Sequence, residues 1–371
     1  MSRDLIVFGE DWGGLPSSSQ HLVSHLAESR KVIWVNSIGL RRPRLNSGDL
    51  KRLWSKLRGK MPSAISNNLP ENLQIVQPRT LPAPRGKLQR ELAARLLQRQ
   101  IMPVVKKASL NRPILWASLP TAVDMAGRLN ESALVYYCGD DFSALAGVDH
   151  QVVSQHEQEL VQRSDLIMAA SDVLASRFPA ATTRVLPHGV DFDLFSRPVP
   201  RATDLPDDGR PIAGFYGSLS EWLDRPLLVE VIQQLPEWHF VFIGKADVDM
   251  GDLQRLHNVT LLGPRPHQQL PSYSQHWNLG LLPFCDNPQI RACNPLKLRE
   301  YLATGRPVVS TDFPAAQHYS DLIHIVNSAE EMVGAICNAR FDGDSSSRQA
   351  AVAQHTWQAR ADMVAGWLER L

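Results

Sequence analysis

Short, almost uninterrupted apolar runs alternate with longer amphipathic stretches along this chain, and the series occurs twice. The first series lies at residues 5–8, 32–35, 73–76, 114–116, 134–137, 166–169 and 184–186. The second lies at 212–216, 240–243, 259–262, 279–283, 307–310 and 323–326. Runs of this length without polar alternation predict strands covered on both faces. Such strands belong to parallel sheets flanked by helices. Helical patterns at 87–105 and 152–162 fit the intervening covers. Between the two series, residues 197–211 are rich in Pro, Asp and Gly and lack periodicity, which reads as a linker. The expected organisation is α/β, with one doubly wound domain over 1–196, a linker over 197–210, a second domain over 211–348, and one long amphipathic helix over 349–371. A length of 371 residues suits two such cores.

The net charge of +1 conceals an asymmetry. Residues 1–110 carry 19 Lys/Arg against 7 Asp/Glu, and the remainder carries 20 against 31. The first half is therefore expected to meet an anionic surface. Its densest cluster, over 41–60, interleaves eight basic residues with Leu50, Leu53, Trp54 and Leu57, the pattern of a basic amphipathic helix lying in a membrane headgroup layer. Arg52, Trp54 and Lys56 are its expected membrane contacts, and a second basic run, Arg85 to Lys107, would widen the face. No stretch approaches the roughly 18 apolar residues of a membrane span, and the N-terminus lacks a signal-peptide core. Secretion and membrane spanning are not expected. The four cysteines show no metal-ligand spacing and are expected to be reduced.

In doubly wound folds ligands bind beyond the carboxyl ends of the strands, so the loops after strands are where chemistry is expected. The first strand runs into Gly13-Gly14 before a helix, where backbone N–H groups can approach a phosphate or sugar; no GxGxxG is present, which argues against a nicotinamide enzyme. The fifth strand ends in Asp140-Asp141, and a carboxylate there can act as general base on a hydroxyl while its neighbour caps a helix. His188, in Pro187-His188-Gly189-Val190-Asp191, can donate to a ligand. In the second series the first strand leads into Gly217-Ser218, small enough to admit a diphosphate. A helix begins near Asn294-Pro295. Its positive N-terminus and Lys297 together make a diphosphate site, with Glu300 one turn deeper to accept from both ribose hydroxyls. The Asp-x-Asp triplets at 191–193, 247–249 and 342–344 match so short a pattern three times and follow no apolar strand directly. No metal site is expected.

The order of these segments resembles the GT-B fold glycosyltransferases, of the family 4-like type found in bacterial exopolysaccharide and teichuronic-acid biosynthesis and similar to xanthan glucuronosyltransferase. The likeness rests on 294–310 as nucleotide-binding helix, turn and strand, on 187–191 at the end of the first domain, on 217–220 as phosphate loop, and on a closing helix bearing Trp357 and Trp367. The chain departs from the large retaining subgroup twice. The residue eight positions before Glu300 is Ala292 instead of Glu, and Ser218 followed by Glu221-Trp222-Leu223-Asp224 replaces the subgroup's Arg and Lys. Both inverting and retaining courses stay open.

The resemblance implies two Rossmann-like domains facing a central cleft, an acceptor-binding first domain and a nucleotide-sugar-binding second, with the closing helix packed back on the first. It implies a metal-independent hexosyltransferase that uses a nucleoside-diphosphate sugar, a UDP-sugar above others, as co-substrate and needs no cofactor. Asp140 or Asp141 is the base. Lys297, Glu300, Asn294, Pro295, Gly217 and Ser218 hold the donor nucleotide, while Gly13, Gly14 and His188 contact donor or acceptor. The expected partners are a glycan or lipid-linked acceptor and an anionic membrane surface, with no nucleic acid. The expected location is cytoplasmic, peripheral on the inner face of the cell membrane. The alternatives weighed are a nucleotide-sugar 2-epimerase on the same fold and a non-enzymatic two-domain sugar-binding protein.

Overall fold

The computed structural model describes residues 3–13, 17–37, 69–81, 84, 86–143, 150–339 and 343–371. Gly14 and the basic segment with Arg52, Trp54 and Lys56 lie outside them. The chain forms two compact units, Met1–Pro187 with Arg360–Leu371, and His188–Ala359.

Among the described residues the first unit holds a seven-stranded parallel sheet of β1 (Leu5–Phe8), β2 (Val32–Val35), β3 (Leu73–Val76), β4 (Ile114–Ala117), β5 (Ala133–Cys138), β6 (Leu166–Ala169) and β7 (Thr183–Val185), ordered β3-β2-β1-β4-β5-β6-β7. The central strands are buried along their whole length, as strands with helices on both faces must be. The second unit repeats the plan with β8 (Ile212–Tyr216), β9 (His239–Ile243), β10 (Val259–Leu261), β11 (Leu279–Leu282), β12 (Val308–Thr311) and β13 (His324–Val326), ordered β10-β9-β8-β11-β12-β13. In each sheet the first strand is central, and the chain builds outward to one side before returning to the other. The reversal falls between β1 and β4 and between β8 and β11. In folds of this kind ligands bind beyond the strand ends beside such a reversal.

Two expectations are corrected. Residues 197–210 do not act as a free linker. The unit boundary falls at 187/188, and Leu205 is buried in the second unit's core. The backbone of this stretch is tied down by Val199 N donating to Gln275 Oε1 at 3.1 Å and Ala202 N to Ser272 O at 2.9 Å. Its Pro-rich composition suits an irregular path whose polar groups still find partners. The closing helix is also interrupted, into Ser345–Ala353 and Trp357–Leu368. The intervening residues extend to meet Val190, whose N–H donates to His355 O at 2.9 Å and which bridges to Thr356. From Arg360 onward the chain belongs to the first unit, where Arg3 Nη2 donates to Leu368 O at 2.9 Å.

Candidate functional site

In the first unit, the loop after β1 is held from the side by β2. Trp34 Nε1 donates to Glu10 O at 3.0 Å, and Trp12 N donates to Asn36 Oδ1 at 3.0 Å. Gly13 adopts φ 80° and its N–H donates to Gln20 Oε1 at 3.4 Å. Glu10 itself, not singled out from the sequence, accepts from Ser17 Oγ beside the start of helix Ser18–Leu26. Burial pushes its carboxyl pKa up, opposed by its hydrogen bonds and assisted by the nearby charge of Asp11.

Beyond β5 the two adjacent aspartates have opposite environments. Asp141 Oδ1 pairs with Arg177 Nη1 at 2.6 Å and accepts from Ser143 N at 3.0 Å and Ser143 Oγ at 2.5 Å. Burial works against its charge, but Ser143 and Arg177 outweigh it and hold the carboxyl below its ordinary range. Asp141 is thus a locked anion that closes a turn. Asp140 is exposed to solvent and, among the described residues, receives no hydrogen bond or ion pair at its carboxylate. The bulk of protein around it is the largest influence, followed by the like charges of Asp141 and Glu10, and together they push its pKa up to about 6. A carboxylate poised near neutral pH, beside one that stays ionised, is the arrangement that divides acid–base labour between two like groups.

In the second unit the loop after β8 opens at Gly217, at φ 135°, a conformation that L side chains rarely adopt. A Cβ there would fall 2.8 Å from Lys297 Cε and 2.9 Å from Nζ, so the missing side chain is where the lysine amine lies. Lys297 sits on the first turn of helix Leu296–Thr304, whose N-terminus has no side-chain cap. Pro295 stands at the N-cap and not at the first helical position. Nζ lies 5.2 Å from the Phe215 ring centre and 5.6 Å from that of Phe284. Burial pulls its pKa below the ordinary lysine value. Among the described residues no carboxylate pairs with it. An amine near two rings, at a helix N-terminus without a side-chain cap and beside a glycine, has the charge and the room that suit an anion. Ser218 is half-buried beside it.

Glu300 is buried and does not pair with Lys297. Its Oε2 accepts from Tyr216 Oη at 2.6 Å, and its Oε1 meets His267 Nε2 at 2.7 Å. Burial disfavours the charged imidazole, yet the bond to Glu300 and its charge outweigh this and raise the His267 pKa. Neither partner was legible beforehand, although a His just after Pro264-Arg265-Pro266 in the loop following β10 is a signal of the right kind. Asn294 Oδ1 accepts from Arg299 Nη1, so this side chain orders the loop before the helix. His188 is buried with its ring centre 6.3 Å from that of Trp357, within the second unit.

Described aspartates of all three Asp-x-Asp triplets have structural partners. Asp191 caps helix Phe192–Ser196, Asp193 pairs with Arg197, Asp247 with Lys245, and Asp344 caps Ser345–Ala353. No group of three or more His, Cys, Asp or Glu that could hold a metal ion occurs among the described residues.

The paired sheets and their strand orders define the GT-B fold. Residues 210–340, within the second unit, match the family model described as glycosyl transferases group 1. A sequence relative, the putative teichuronic acid biosynthesis glycosyltransferase TuaH of Bacillus subtilis (strain 168), is 29% identical over 228 residues. That match takes in 56% of this chain and 57% of TuaH, little more than half the length of each. Among solved structures, HepE of Anabaena in complex with UDP superposes with TM-score 0.68 at 16% identity, covering 99% of this chain and all of the other. The sucrose-phosphate synthase of Thermosynechococcus elongatus superposes with TM-score 0.70 at 16% identity, covering 99% of this chain and 98% of the other.

Proposed function

We propose that the protein is a glycosyltransferase that moves a sugar from a nucleoside-diphosphate donor, a UDP-sugar, to a glycan or lipid-linked saccharide acceptor in cell-surface polysaccharide biosynthesis. The observation that carries this reading is the half-buried Lys297 amine, set at a helix N-terminus against Gly217 with no carboxylate partner among the described residues. A leaving diphosphate is the anion such a site suits, because fixed donors there stabilise negative charge as it develops. Asp140 takes the proton of the acceptor hydroxyl, whose oxygen bonds to the anomeric carbon as the bond to the diphosphate breaks. The teichuronic-acid assignment of TuaH supports the pathway class, and HepE structures containing UDP, and UDP with glucose, support the donor class. The test is thermal shift with UDP, GDP, dTDP and their sugars. UDP ligands at 100-fold above Kd should add about 2.7 kcal/mol of stability. A flat response to every nucleotide would sink the donor assignment.

The first unit is the acceptor side in this reading, and its contact with an anionic membrane at the cytoplasmic face delivers a lipid-linked acceptor. Arg52, Trp54 and Lys56 would be part of that contact. Helix Gly86–Lys107 supports it, because Leu88 and Leu92, one turn apart, are 87% and 52% exposed on a helix that also exposes Lys87, Arg99, Lys106 and Lys107. Exposed leucines among basic residues match an interface with apolar depth and negative charge. No described helix is long and apolar enough to cross a membrane. Sedimentation with liposomes should show binding that requires anionic lipid and weakens from low to high salt. Indifference to anionic liposomes at low salt would point to a soluble acceptor instead.

A further inference from the structure

The two bonds on Glu300 come from different parts of the second unit. Tyr216 is the last residue of β8, while His267 begins a short 3-10 turn, His267–Gln269, beyond β10. Both are held before any ligand arrives. The Tyr216 ring is buried edge-on to Tyr301, with ring centres 5.0 Å apart at 84°, and Tyr216 N donates to Tyr301 Oη at 3.1 Å. The His267 ring stands edge-on to Phe195 at 5.4 Å and 65°. An ionised carboxylate offers about four lone-pair sites, two per oxygen. Tyr216 occupies one on Oε2 and His267 one on Oε1, which among the described residues leaves one on each oxygen. That remainder matches two adjacent hydroxyls, each bringing one O–H donor.

We propose that His267 and Tyr216 are positioning residues that clamp the Glu300 carboxylate from behind, so that its two free lone-pair sites are aimed at the vicinal 2′- and 3′-hydroxyls of the donor ribose. This rests on the reading of the second unit as the nucleotide-binding one. A buried carboxylate free to rotate would lose orientation and pay to regain it on binding; the clamp makes that payment in folding. Ribose recognition thus depends on a histidine in a loop separate from the helix that carries the acid.

The test is calorimetric titration of the full chain with UDP and with 2′-deoxy-UDP, reading the ratio of the two affinities. The wild type should prefer UDP by about tenfold or more, the scale of one hydrogen bond to a charged group. Glu300→Gln should bring the ratio close to one. His267→Ala should reduce it to within about threefold, and His267→Gln, which restores an N–H donor, should recover most of it. A histidine that merely supported the fold would weaken both ligands equally and leave the ratio untouched. If Glu300→Gln abolishes the preference while folded His267→Ala retains it, the clamp is wrong and the ribose assignment stands. If Glu300→Gln itself retains the preference, or the wild type has none, the ribose assignment falls and the clamp with it. Tyr216→Phe removes a single oxygen and carries the same test should His267→Ala not fold, with a ratio equal to wild type overturning the proposal.

Discussion

Asp140→Asn is expected to lower turnover by about 10²-fold or more while leaving donor affinity within about twofold. The substitution preserves shape and removes only the capacity to accept a proton. The neighbouring Asp141→Asn should behave differently. It breaks the pairs with Arg177 and Ser143, so its principal effect should be a lower melting temperature and a disordered turn. The wild-type pH profile supplies an independent check. In the proposed mechanism the base works deprotonated, and its pKa is pushed up to about 6 by desolvation from the protein around it and by the like charges of Asp141 and Glu10. Activity should therefore fall as pH drops through about 6 and level off above it. Replacing Glu10 with Gln removes one of the like charges and should move that limb to lower pH. If Asp141→Asn alone abolished turnover, the two aspartates would exchange roles. If neither mattered, an aspartate base could not be maintained.

Lys297→Ala should weaken UDP binding by about 1.5–3 kcal/mol, roughly 10- to 150-fold, the range for a hydrogen bond to a charged group. Lys297→Met should lose a similar amount while keeping the contacts with Phe215 and Phe284, which separates the charge from the packing. The folded protein holds this amine at a cost, since burial lowers its pKa with no carboxylate among the described residues to offset it. Both substitutions are therefore expected to leave the melting temperature of the ligand-free protein unchanged or raised. Nucleotide affinity equal to wild type in Lys297→Met, measured by calorimetry, would remove the lysine from the donor site.

The sheets were legible because their signal is local. Each strand is a run of consecutive apolar residues, and covering a parallel strand on both faces demands little else of the sequence. The candidate loops were chosen for a related reason, since doubly wound topology puts ligands after strands, and Asp140, Gly217 and Lys297 are proposed from those positions. The linker was misread because composition reports the lack of regular structure, not the lack of packing. Leu205 alone among polar neighbours gives no periodic sign that it enters a core. The closing helix was overextended for a similar reason. Propensity does not register that residues 354–356 are taken by Val190, which is some 165 positions earlier in the chain.

What the sequence determined by itself, then, was the fold class, the two-part organisation and the residue types at the strand ends, each set by neighbours within a few positions. Only the tertiary structure decided which of two adjacent aspartates is neutralised by Arg177 and which is left poised. It also decided that Lys297 faces Gly217 instead of pairing with Glu300, and that Glu300 is held by Tyr216 and His267. Those outcomes depend on burial and on partners between 33 and 84 positions apart, and the electrostatics of a carboxylate or an amine follow from what surrounds it in space.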